Sequence, residues 1–270
     1  MSSFRFPTLF ISHGTPMHAF GEDRFQNMLS DFSQSIPKPK AIIVLSAHSV
    51  SSDKIHVLRT EKNFIQHDFG GFPEDLYNIQ YECPGDPAEA EKIAALFKDA
   101  GFETVFDERA PLDHGIWIPL LHLYPKGDVP VVRVSLPLSF QPAQILKMGH
   151  AVAKLRELGA MILGSGGAVH NLRELKWEKK VSEGKPWAHQ FEEWLIHTLQ
   201  KKDVEELLAA DEQPIFKKAH PSQEHFLPLL FVVGAALKGD EVQILNRGVE
   251  YDTLSMLTFS LNQPTTPSLH

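Results

Sequence analysis

One cysteine in 270 residues, Cys83, leaves no internal disulfide and no thiolate-ligated zinc module. Basic residues are not in excess either. The chain has 26 Lys and Arg against 34 Asp and Glu, a formal charge of −8, and no basic arm gathers to meet nucleic-acid phosphates. Long apolar runs are missing: the longest, Phe226 to Leu237, is too short to cross a bilayer and contains Pro228 and Gly234. The N-terminus has no basic region and no small-residue cleavage site, so no export signal is expected. With no membrane span and a single thiol, the expected compartment is the cytoplasm. Lipidation motifs are absent. So are an HExxH helix, a GxSxG nucleophile elbow and a P-loop lysine after Gly164-Ser165-Gly166-Gly167.

What is present is an ordinary core-forming composition, 43% hydrophobic and 22% charged, with no linker-like stretch. A single domain over residues 1–270 is expected. Short apolar runs rich in β-branched or aromatic residues predict buried strands at Pro7–Ile11, Ala41–Leu45, Thr104–Phe106, Pro130–Ser135 and Ala160–Leu163. Closing strands are expected at Glu241–Arg247 and Thr253–Ser260. Helices fit at Phe20–Phe32, Ile116–Leu123, Pro142–Leu158, Pro186–Gln200 and Val204–Ala210, with a last one from about Ser222. The clearest starts at Asp86-Pro87, cap then first helical residue, and runs to Ala100 before Gly101. This alternation predicts an α/β fold, a central sheet flanked by helices.

Histidine is the abundant reactive residue, 14 in all. Three of them follow strands: Ser12-His13-Gly14, Ser46-Ala47-His48 and Gly164-Ser165-Gly166-Gly167-Ala168-Val169-His170. Open α/β sheets bind ligands at the carboxyl ends of their strands, so these imidazoles share one rim. Asp113-His114-Gly115, opening a helix, and His220-Pro221-Ser222-Gln223-Glu224-His225 join them. Neutral imidazoles without thiolate suit Fe(II), Zn(II) or Cu(II), and three protein ligands leave positions open for substrate. Taken alone, each histidine is also an ordinary buried or surface residue. His18, 56, 122, 150, 189, 197 and 270 have no such context.

Six segments, ISHGTPM (11–17), LSAHS (45–49), DFGGFPEDLYNIQYECPGDP (68–87), DHGIWIPL (113–120), GSGGAVHNLR (164–173) and HPSQEHFLPLL (220–230), together resemble the class III extradiol ring-cleavage dioxygenases. Within the LigB-like superfamily they are most similar to the DOPA extradiol branch. The resemblance implies a non-haem Fe(II) centre, with Zn(II) as an alternative ion, opening a small aromatic diol with O2 to a semialdehyde. It implies His13, His48 and His225 as ligands, at the carboxyl edge of the strands. Some relatives use a Glu as third ligand, which makes Glu224 the competitor of His225. A cap by Ser222 and a place in the first turn would account for Glu224 structurally.

The resemblance also implies His170 as acid/base and His114 on the substrate side. Asp113 either orients His114 or caps the following helix. Loop 68–87 carries Phe69, Phe72, Tyr77 and Tyr81, with Phe72 and Tyr77 expected at the substrate; a self-packed aromatic loop is the alternative. Trp117 is expected to anchor its helix. Arg173 and Arg109 are the candidate cations for a carboxylated substrate. A zinc hydrolase on the same histidines, or a binding protein that keeps the fold without turnover, remains the rival reading. No nucleic acid or membrane partner is expected.

Overall fold

The apolar runs do form strands, and the periodic segments between them form helices. In the computed structural model, residues 4–21, 24–180 and 183–264 are described. Along the chain the strands are β1 (Thr8–Ser12), β2 (Ala41–Ser51), β3 (Ile55–Leu58), β4 (Lys62–Asn63), β5 (Cys83–Pro84), β6 (Thr104–Asp107), β7 (Val131–Pro137), β8 (Ala160–Gly166), β9 (Glu241–Asn246), β10 (Val249–Glu250), β11 (Leu254–Ser255) and β12 (Thr258–Asn262). The α-helices are α1 (Arg24–Gln34), α2 (Glu74–Tyr77), α3 (Pro87–Asp99), α4 (His114–Leu123), α5 (Pro142–Val152), α6 (Pro186–Lys201), α7 (Val204–Leu208), α8 (Phe216–Ala219) and α9 (Leu227–Gly234).

Eight strands make one mixed sheet in the order β6-β3-β7-β2-β8-β1-β12-β9. The centre, β7-β2-β8-β1, is parallel, and β12 and β9 add antiparallel at one edge. Helices cover both faces, which is why the central strands are apolar along most of their length. Successive residues still alternate between two cores: Phe10, Ile43 and Leu45 pack on one face, and Leu9, Ile11, Ile42 and Val44 on the other. The first face also holds α5 and α9, which meet at backbone contact. A Cβ on Gly149 would stand 2.1 Å from the Phe231 carbonyl, and one on Gly234 2.0 Å from that of Leu146.

Helix α3 is built as its sequence reads: the Asp86 carboxylate accepts from the Glu89 N–H at 2.9 Å, and Pro87 opens the helix. Elsewhere the boundaries differ for identifiable reasons. The last helix starts at Leu227 rather than near Ser222, because Pro228 suits the first turn and the preceding residues fold into turns. The expected helix to Leu158 tightens into a 3₁₀ segment after Val152 and stops at Gly159, where φ is +112°. The strand expected over Thr253–Ser260 splits into β11 and β12. Strand β3, only four residues long, carries no pattern distinct enough to read. No helix among the described residues is long and apolar enough to cross a membrane.

Candidate metal centre

Three chain segments deliver imidazoles to one point. His13 follows β1, and its N–H bonds to the Gly166 carbonyl at the end of β8. His48 sits in β2 between Leu45 and Val50, where pairing with β7 shifts register, so this stretch leaves the regular ladder. His225 lies in the turn before α9. The His48 Nε2 stands 3.1 Å from that of His13 and 3.3 Å from that of His225. All three ligand atoms lie within 4.8 Å of one another.

Hydrogen bonds on the opposite side of the rings set the tautomers. Ser165 Oγ donates its only proton to the Gly115 carbonyl, so at 2.9 Å it accepts from His13 Nδ1. The Glu224 carboxylate accepts from His225 Nδ1 at 3.3 Å. Both Nε2 atoms therefore carry lone pairs, aimed at one another around His48. Lone pairs converging in this way could hold a shared cation. Imidazole donors about 2.1 Å from a metal stand roughly 3.0–3.4 Å apart at right or tetrahedral angles, and the observed spacings fit. Glu224 reaches the site through His225, fixing the orientation of that ring from its far nitrogen. Ser222 does not cap a helix; its hydroxyl donates to Glu224 at 2.8 Å.

Burial, followed by the charge of His48, holds His13 well below the ordinary imidazole range; burial and then His170 do the same to His225. His48 is lowered by burial and then by His114. Burial also pushes His170 down to about 3 and His220 to about 4. In the metal-free protein these rings stay neutral while the unfolded chain takes up protons near pH 6.5, so the unfolded state binds more protons as pH falls. Stability is then lost as pH drops from about 6.5 toward 4, by about 1.4 kcal/mol per pH unit for each such ring. Urea midpoints in chelator at pH 7.5, 6 and 5 should fall steadily, and a flat profile would contradict this.

His114 Nδ1 donates to Asp68 Oδ2 at 3.1 Å, and the His114 backbone N–H to Oδ1 at 2.8 Å. Asp68, not Asp113, is thus the partner of His114. Burial raises the Asp68 pKa, but the hydrogen bonds and charge of His114 outweigh this and leave it below the usual value. Asp68 and His114 also form a possible metal group with His48. Their hydrogen bonds already engage His114 Nδ1 and both Asp68 oxygens, which favours the three-histidine set. Asp113 serves neither of its expected roles: its carboxylate turns inward, accepting from Ser46 Oγ at 2.7 Å and Ser49 Oγ at 2.5 Å. It thereby ties the start of α4 to the two residues that bracket His48.

His170 lies flat on His225, ring centroids 3.4 Å apart and planes within 6°. Its segment is clamped to the end of α8: the His170 N–H donates to the Ala219 carbonyl, and His220 Nε2 to that of Ala168. A cavity of about 480 Å³ opens beside these histidines, lined also by Phe69, Phe72 and Trp177. Tyr77 is not among the lining residues; its ring packs on Phe69 and His67. Tyr81 is buried, its hydroxyl bonded to the Tyr124 carbonyl. The loop therefore divides, with Phe69 and Phe72 at the cavity and the tyrosines in packing. Trp117 is fully buried and bonded to the Gln66 carbonyl, an anchor as expected. Arg173 lines the cavity and Arg109 does not. His270 lies outside the described residues.

The glycines after β8 make room for backbone. A Cβ on Gly166 would lie 2.2 Å from the His225 carbonyl, and one on Gly164 2.4 Å from that of Pro228. Gly166→Ala should displace the His225 turn, costing about 1–3 kcal/mol and weakening metal binding. A thermal melt and a metal titration check both; unchanged values would refute the close approach.

Residues 7–261 match the family described as the catalytic LigB subunit of aromatic ring-opening dioxygenase. The chain belongs to this family. It is 34% identical to the "4,5-DOPA dioxygenase extradiol" of Escherichia coli (strain K12), covering 97% of this chain and 96% of that protein. Identity to the protein of the same name from Beta vulgaris is 37%, covering 88% and 90%. The crystal structure of "uncharacterized protein JW3007 from Escherichia coli K12" superposes with a TM-score of 0.83 at 32% identity, covering 96% of this chain and 100% of that one. The fold class and the enzyme class, an extradiol ring-opening dioxygenase, follow from this agreement along the chain.

Proposed function

We propose that the protein uses Fe(II) and O2 to cleave a catechol beside its diol, giving a ring-opened semialdehyde in the cytoplasm. The convergence of three imidazole Nε2 atoms, 3.1 and 3.3 Å apart, on an aromatic-lined cavity carries this reading. His13, His48 and His225 would hold Fe(II), which would supply Lewis acidity toward a diol hydroxyl and the redox chemistry that O2 requires. Zn(II) fits the same ligands and supplies only the first.

The protein's own groups handle the protons. Asp68 holds His114 Nδ1 as a donor, leaving Nε2 to accept a diol proton, and the imidazolium so formed faces the carboxylate at 3.1 Å. His170, neutral and stacked on His225, is the second proton carrier, taking protons only from strongly acidified groups and returning them as the ring opens. Phe69 and Phe72 flank a planar ring and exclude water.

The test is to load the protein anaerobically with Fe(II) or Zn(II), add a series of catechols including DOPA, and admit air. The Fe(II) form should turn yellow while consuming one O2 per ring, and the Zn(II) form should not. No product from any catechol would sink the reading, and hydrolysis by the Zn(II) form would favour the hydrolase.

A further inference from the structure

The mouth of the cavity holds a charge that the ring chemistry does not use. Among the described residues, Arg173 is the only Lys or Arg lining it. Its neighbours are paired: Glu174 with Lys218 at 3.4 Å, and Lys176 with Asp252 at 3.7 Å. The Arg173 guanidinium makes no hydrogen bond or ion pair among the described residues. The backbone beneath it is nevertheless fixed. The Arg173 N–H donates to Asn171 Oδ1 at 2.9 Å; buried Asn171 in turn donates to the Lys218 carbonyl and accepts at its own carbonyl from Thr253. An exposed cation on an anchored turn loses little backbone freedom on meeting a ligand.

The surroundings fit an aromatic acid. Leu172 and Trp177, from the same segment, line the cavity while remaining 56% exposed. Trp177 stands edge-on to Phe72. The one carboxylate among the described lining residues, Glu224, turns its Oε1 to Ser222 and His225 and makes no ion pair with Arg173.

We infer that Arg173 receives a carboxylate on the side arm of the aromatic substrate, while Leu172 and Trp177 cover the arm's carbon chain. A guanidinium matches a carboxylate through two parallel N–H···O bonds. That the ring is a diol rests on the proposed function; the carboxylate subsite does not.

The experiment uses the Zn(II)-loaded protein and two probes that cannot be ring-opened, a phenol with a propionate arm and the matching propanol. Calorimetry should show the acid bound about tenfold more tightly than the alcohol, a preference that shrinks as salt is added. Arg173→Gln should remove the preference with alcohol binding unchanged, and Arg173→Lys should restore part of it. Equal binding of both probes to the unaltered protein, binding of neither, or equal weakening of both by Arg173→Gln would overturn the inference. Acid preference through Arg173 without ring opening of any catechol would overturn the reaction alone.

Discussion

His48→Ala is expected to leave a folded protein that retains no stoichiometric Fe(II) or Zn(II) after dialysis and turns over at background. His48 Nε2 is the middle donor of the three, 3.1 Å from one neighbour and 3.3 Å from the other, so its removal leaves two imidazoles. The nearest carboxylate of the His225 turn, Glu224, is held on the far nitrogen of that ring and does not replace it. Losing a partner behind a ligand typically costs about 10–100-fold in metal affinity, and losing the ligand itself should exceed that. The fold should survive, because His48 is only part-buried and β2 is held by the ladder on both sides. The metal-free variant should also be less acid-sensitive, since one imidazole with a depressed pKa is gone. Elemental analysis, circular dichroism and melts at pH 7.5 and 5 read the three outcomes. Stoichiometric metal in a folded variant would remove His48 from the ligand set.

Asp68→Asn is the complementary case, with metal kept and kcat reduced about 10²–10⁴-fold. The carboxylate accepts twice from His114, at its backbone N–H and at Nδ1. An asparagine can keep one of these with its oxygen, but its amide nitrogen is a donor. Facing Nδ1, that donor makes the ring carry its proton on Nε2, so the nitrogen turned to the diol no longer accepts. The stabilisation of an imidazolium by the neighbouring charge is lost as well. Metal content should be unchanged, and KM should move far less than kcat, because the change acts on proton transfer. An unchanged kcat would exclude the Asp68–His114 pair from the chemistry.

The parts of the site that lie next to their own strands were legible. His13 and His48 come just after apolar runs that read as buried strands, and a parallel sheet puts such positions on one rim, although β2 itself runs on past His48 to Ser51. His225 was legible through its motif, although the helix expected to carry it begins later, at Leu227. Asp68 was not assigned. It stands within a quoted motif, yet its partner is 46 residues away and no local spacing announces that contact. Asp113 shows the reverse error: the residue before a helix reads as its cap, but the carboxylate turned to Ser46 and Ser49 because packing brought those hydroxyls against it. Tyr77 read as a cavity wall because loop order says nothing about which aromatic faces in.

By itself, then, the sequence determined the layered α/β class, the apolar runs beside which the histidines stand and, with a single cysteine, the lack of a thiolate-ligated metal module. Only the tertiary structure decided which buried polar groups pair, and through those pairs which nitrogen of each ring faces the cavity. The physical reason is that strand and helix patterns are set by near neighbours in the chain. A buried donor or acceptor, in contrast, is satisfied by whatever partner long-range packing brings within 3 Å or so.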